Sequence, residues 1–237
     1  MRAVAILAVT LLALMGNPSA RAQTAAPWPD TYLGRVEVLA VMEGLNARLL
    51  ASRSATATLE AWCADHGMAA TPRLAAHLQR AVDKPASQET RQRLSVGPDA
   101  ILKYRQVRLA CGDHVLSEAE NWYVPERLTP EMNRLLETTD TPFGRAVQAL
   151  GTTRQTIDAR FLWHPLPKGW DQASPSASSC GDLAIPGQLF QHRAVLFTAE
   201  RAPFSEVVET YGAAILDFRR AARAADPACS ASPPSRP

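Results

Sequence analysis

The chain has 237 residues, with 25 Lys and Arg against 23 Asp and Glu, for a formal net charge of +2 at neutral pH. That length suits one domain with its own core. No Lys/Arg run stands out, so neither nucleic acid nor anionic lipid is expected as a partner.

Residues 1–22 read as a secretory signal peptide. Arg2 precedes an apolar run from Ala3 to Met15, and Ala20-Arg21-Ala22 offers an A-x-A cleavage site. The run is too short to span a bilayer comfortably, and no later segment is apolar enough, so no stable membrane insertion is expected. Cleavage removes Arg2 and Arg21 and no acid, which brings the formal charge to zero. The expected product is a soluble monomer in the periplasm or medium. Its domain runs over residues 23–226, followed by a flexible Pro- and Ser-rich tail over 227–237. Cys63, Cys111, Cys180 and Cys229 are an even set in an exported chain, so two disulfides are expected. Four cysteines allow three pairings, and spacing does not choose among them.

After a Pro-rich lead-in, Val38, Met42, Leu45 and Leu49 recur at helical spacing. Ser52 or Ser54 can cap a second helix carrying Leu59, Trp62 and Cys63 inward. Leu74 to Val82 has helical periodicity, and the polar stretch Lys84 to Gly97 reads as a loop. Ile101 to Pro125 reads as two strands around a turn at Gly112-Asp113. Alternation puts Arg105 on the apolar face of its strand with Val107, Leu109 and Cys111. Thr129 and Pro130 open a helix with Met132, Leu135 and Leu136 inward, and Thr141 and Pro142 repeat the device before Phe143. Thr156 to Trp163 is an expected strand, and His164 to Gln188 a long loop. His192 to Arg201 is an apolar strand. Phe204, Val207, Val208, Tyr211, Ile215 and Phe218 then mark a last long helix, with Arg219, Arg220 and Arg223 at its end. Helices at both ends of a run of strands indicate an α+β domain with an antiparallel sheet.

The chain has no G-x-S-x-G, H-E-x-x-H, Walker or G-x-G-x-x-G motif, and its five histidines show no metal spacing. No metal and no cofactor is expected.

The stretch YRQVRLACGDHVLSEAENWYVPERLTPEMNRLLETTDTPFGRAV resembles the core of the chorismate lyase family. The resemblance lies in an Arg-started strand, a Gly/Asp turn, a strand ending in V-P, and a helix leading to T-P-x-G-R. SATATLE (Ser54–Glu60) resembles the family's S-x-T segment, and AVLFTAERAP (Ala194–Pro203) its late strand. The resemblance implies an antiparallel sheet of about six strands with helices on one side, and a strand at Leu74 to Val82. It also implies a cofactor-independent lyase that eliminates pyruvate from chorismate to give 4-hydroxybenzoate. The alternative is a non-catalytic protein binding a small aromatic acid in the same pocket. Carried over by position, the carboxylate-binding arginine is Arg105 and the acidic residue is Glu200, by a one-residue slip. The remaining pocket contacts are Ala55 and Phe143, the latter standing where the family has a smaller aliphatic residue. Arg105 would grip a carboxylate with its planar fork, and Glu200 would bond a ring hydroxyl or assist proton transfer. On this reading Arg105 and Glu200 meet in one pocket. Otherwise Arg105 forms a structural ion pair with Glu200 or another acid.

Overall fold

The computed structural model describes residues 27–80, 83–172, 179 and 181–218. The expected signal peptide, Cys180, Cys229, the basic run at 219–223 and the tail over 227–237 lie outside the described residues.

The domain is α+β. Six strands form one antiparallel sheet in the order β1-β2-β3-β6-β5-β4. They are β1 (Leu74–Leu78), β2 (Lys103–Cys111), β3 (His114–Tyr123), β4 (Thr153–Phe161), β5 (Gln188–Phe197) and β6 (Pro203–Gly212). Two helices, α1 (Tyr32–Ala51) and α2 (Ala55–Asp65), cover the β2–β5 portion of one face. Thr31 caps α1 by accepting from the Gly34 amide, and Ser54 caps α2 by accepting from the Ala57 amide. Val38, Met42, Leu45 and Leu49 of α1, and Leu59, Trp62 and Cys63 of α2, are buried against Val107, Leu109, Ala119, Val207 and Tyr211. A disulfide joins Cys63 to Cys111, so α2 is stapled to β2.

The α4 helix (Pro130–Thr138) begins as its sequence requires: Thr129 accepts from the Met132 amide, and Pro130 sits in the first turn. The short α5 (Phe143–Ala146) follows. Thr141 does not cap it. Pro142 holds that position, and the Thr141 hydroxyl accepts instead from the Thr139 hydroxyl. Together α4 and α5 roof a second apolar cluster with Tyr123, Leu196 and Phe204. On the opposite face the six-residue α3 (Gln88–Arg93) covers Glu206. That carboxylate is fully buried between the Arg93 fork, at 2.7 and 2.9 Å, and Arg193 at 2.5 Å.

The structure differs from the sequence reading in three further places. Within Lys84 to Gly97, expected as a loop, Gln88–Arg93 form α3. Leu74–Leu78 is an edge strand, paired to β2 in register Leu74 with Cys111. The segment expected as a last long helix is the interior strand β6, followed by a 3-10 turn over Ala213–Leu216. A strand buried on both faces presents apolar residues without strict alternation, and a short apolar run of that kind mimics helical spacing. The β-branched and aromatic content of FSEVVETYG is the competing signal, and it prevails in the sheet centre.

Candidate functional site

Between the sheet and the roof lies a small, partly open cavity. Its floor is Val107 and Leu109 of β2, Ala119 and Asn121 of β3, and Val207 and Glu209 of β6, with Leu196 of β5 and Arg154 of β4 at the side. Its roof is the entry to α2, Arg53 to Thr56, together with Phe143, Gly144 and Val147. Alternation along β3 and β6 turns Asn121 and Glu209 toward the helices, in line with Ala119 and Val207. The cavity encloses about 40 Å³, room for one to a few waters. Outside it lies a groove of about 480 Å³ that shares Arg53, Ser54, Thr56, Gly144 and Thr152 with the cavity.

The polar groups here are buried and only partly paired. Arg154 Nη2 lies 2.7 Å from Glu209 Oε2, with side-chain exposures of 3% and 8%. Among the described residues neither Arg154 Nε nor Nη2 has an acceptor in hydrogen-bond geometry, and Asn121 Nδ2 has none. Burial works against the Arg154 charge, but the Glu209 carboxylate and Tyr211 outweigh it and hold the guanidinium above its ordinary pKa. Tyr211 donates to Glu209 Oε2 at 3.1 Å, and burial pushes its phenol well up. On the next strand His192 is pushed down to about 4 by burial and is therefore neutral, with Nε2 2.8 Å from Asn46 Oδ1 of α1. The start of α2 adds its N-terminal dipole to the same cavity. Two unpaired donors, an ion pair and a helix N-terminus thus face one space, and that set suits a carboxylate carrying a second polar group.

Gly144 fits this roof because it has no side chain. A Cβ there would stand 2.9 Å from Thr56 Oγ1 and 3.2 Å from Ser54 Oγ. Gly144→Ala is expected to lower stability by about 1–2 kcal/mol through overpacking at the start of α2. A melting temperature equal to that of the parent would show that the roof yields freely.

Of the residues expected from sequence, Ala55 and Phe143 line this cavity. Phe143 stacks on Phe204 at 6.3 Å and meets Tyr123 edge-on at 5.7 Å, so its ring is also core. Arg105 lies elsewhere, in a separate cleft of about 440 Å³. Its Nε donates to the Leu136 carbonyl at 3.0 Å and one terminal nitrogen to Thr141 at 2.9 Å. Glu200 is exposed in the turn between β5 and β6. Its own amide and the Thr198 hydroxyl hold its carboxyl below the ordinary value. The expected meeting of Arg105 and Glu200 is therefore corrected: the TAERAP turn carries Glu200 off the strand and out of the sheet. Asn121, Arg154 and Glu209 were not among the expected residues. Glu209 was legible in principle, since in a strand it shares a face with Val207 and Tyr211.

No family model matches the chain. The uncharacterized protein y4mC of Sinorhizobium fredii (strain NBRC 101917 / NGR234) is 53% identical over 194 residues, 81% of each chain. The chain belongs to the y4mC family. Among solved structures, PhnF from Mycobacterium smegmatis is similar at a TM-score of 0.43, with 12% identity over 81% of this chain and 89% of that one. The PhnF effector domain gives 0.41, with 16% identity over 68% and 88%. The ligand-binding domain of a putative GntR-family transcriptional regulator from Bordetella bronchiseptica gives 0.37, with 13% identity over 59% and 82%. Likeness at this level assigns no function to the y4mC family. The last of these is described as the ligand-binding domain of a transcriptional regulator, and none of the three as a lyase or an exported protein. The expected chorismate lyase and the expected periplasmic or secreted location have no counterpart among these descriptions and are withdrawn. The expected exclusion of nucleic acid also finds no support. Among the described residues no helix is long and apolar enough to cross a membrane.

Proposed function

We propose that this chain is a non-catalytic binding protein for a small carboxylate, with a small aromatic acid as the ligand class. The observation that carries the reading is a pair of buried donors on residues lining the cavity, Arg154 Nε and Asn121 Nδ2, that have no acceptor among the described residues. A buried donor left unpaired costs about 1–3 kcal/mol, so an acceptor entering the cavity recovers that energy on binding. The acid group reaches Arg154, Asn121 and the α2 N-terminus, while Glu209 takes a hydroxyl on the ligand. The inner space alone is too small for a ring, so the body of the ligand extends past Gly144 into the outer groove or spreads the α5 roof. Ala55 and Phe143 are then packing contacts of the ligand.

The deciding experiment uses Asn121→Leu, which keeps the volume and removes the orphan donor. Folding stability should stay level or rise, because no unpaired polar group remains buried. Binding of 4-hydroxybenzoate, followed by calorimetry, should weaken about tenfold, the equivalent of about 1.4 kcal/mol. Lost stability with unchanged binding would make Asn121 a packing residue and remove the site. Pyruvate release from chorismate by the purified protein would overturn the non-catalytic reading.

A further inference from the structure

The sheet has one covered edge and one open edge. At β1 the Ala76 amide donates to the Asp140 carbonyl at 2.8 Å, so the segment after α4 covers that side. Along β4, Thr153–Phe161, no backbone hydrogen bond among the described residues falls outside the ladder to β5. Residues 157–160 are all exposed. An uncovered edge of this length presents a row of unpaired amides and carbonyls to any other strand. Two large apolar side chains that the fold leaves in solvent, Ile157 and Leu162, each 41% exposed, stand at the two ends of the stretch.

The pattern of β4 selects its partner. Thr156 pairs with Ala194 and Asp158 with Arg193, so Ile157 is the extra residue of a bulge. A bulge bends the edge away and limits pairing on its own side. Beyond it the ladder is regular from Asp158 to Phe161. Asp158 and Arg160 lie on the sheet face away from α1 and α2, beside Arg193 and Gln191, and about half of each side chain is exposed. An acid and a base two residues apart are self-complementary when a strand meets a copy of itself antiparallel. Centred on Ala159, each Asp158 stands opposite Arg160 of the partner subunit, and each Ile157 opposite Phe161 of the partner subunit. A one-residue slip sets Arg160 against Arg160 and is penalised. We infer that β4 is a homodimer surface, where a second copy of this chain extends the sheet across a two-fold axis through Ala159. Such a contact is isologous and closes on itself, so it does not propagate into fibres. A strand edge buries less than a full-sized interface, so the dimer forms with rising concentration. It replaces the monomer expected from the sequence.

Sedimentation velocity on the full chain tests this. At rising concentration the parent should pass from monomer to dimer. Arg160→Asp and Asp158→Arg each set like charges opposite one another at both pairs, and each should weaken the dimer about tenfold or more. Both positions are exposed, and circular dichroism checks that the variants are folded. An equal mixture of the two variants is the deciding sample. Acid then faces base at both pairs, so the mixture should form a heterodimer about as readily as the parent forms its homodimer. Mixing does not restore the contact between Asp158 and Arg160 within one chain, so recovery comes from pairing between chains. A parent that stays monomeric at every concentration would overturn the proposal. Variants that dimerise as the parent does would place the contact elsewhere and overturn it too, as would a mixture no more associated than either variant alone.

Discussion

Arg154→Met is expected to lower the stability of the domain by about 3–5 kcal/mol at neutral pH. The change leaves the Glu209 carboxylate, 8% exposed, with the Tyr211 hydroxyl and no cation. For a domain of this size the melting temperature should fall by about 10 °C, at about 2–4 °C per kcal/mol. Arg154→Met with Glu209→Gln should recover most of the loss, because replacing both charges leaves no buried ion. A single variant that melts with the parent at pH 7 would mean that water reaches Glu209.

The sequence disclosed the frame of the fold better than the site, for reasons visible at particular residues. Thr129-Pro130 and the 3.6-residue spacing of Val38, Met42, Leu45 and Leu49 are local signals, and the corresponding helices begin and bury as those signals require. The β2–β3 hairpin was equally local, and its alternation correctly turned Arg105 inward. What alternation does not carry is the partner of an inward side chain. Arg105 meets the α4 end and the segment after it, which lie 31 and 36 residues along the chain. Glu209 was hidden by a wrong period. Read as helix, FSEVVETYG scatters its acids over a surface; read as strand, it sends Glu209 into the core beside Val207 and Tyr211. Arg154 was invisible for a third reason. It sits near the start of an edge strand whose other residues are largely solvent-facing, so nothing in TRQTIDARF marks one arginine as buried. The Cys63–Cys111 pairing needed the packing of α2 on β2, which spacing among four cysteines does not encode.

That disulfide is the largest single covalent constraint on the described fold, and its removal carries the second large effect. Cys63 and Cys111 are both fully buried and lie 48 residues apart in sequence. Closing a loop of that length removes unfolded-state entropy worth about 4 kcal/mol in the chain-entropy account. Cys63→Ala with Cys111→Ala keeps the pocket apolar, without the buried hydroxyl that serine would introduce. Its melting temperature should fall by about 10 °C or somewhat more. The loss should not extend in proportion to ligand binding. The start of α2, which lines the cavity, is held separately by the Ser54 cap and by Gly144 against Thr56. In the folded variant, affinity for 4-hydroxybenzoate should change by less than about threefold, under 1 kcal/mol. Cys63→Ala alone should melt close to the double variant, since either change opens the same loop. An unchanged melting temperature in the double variant would mean that α2 packing fixes the helix without help from the staple. A tenfold loss of binding with full folding would instead tie the position of α2, set by the disulfide, directly to the shape of the site.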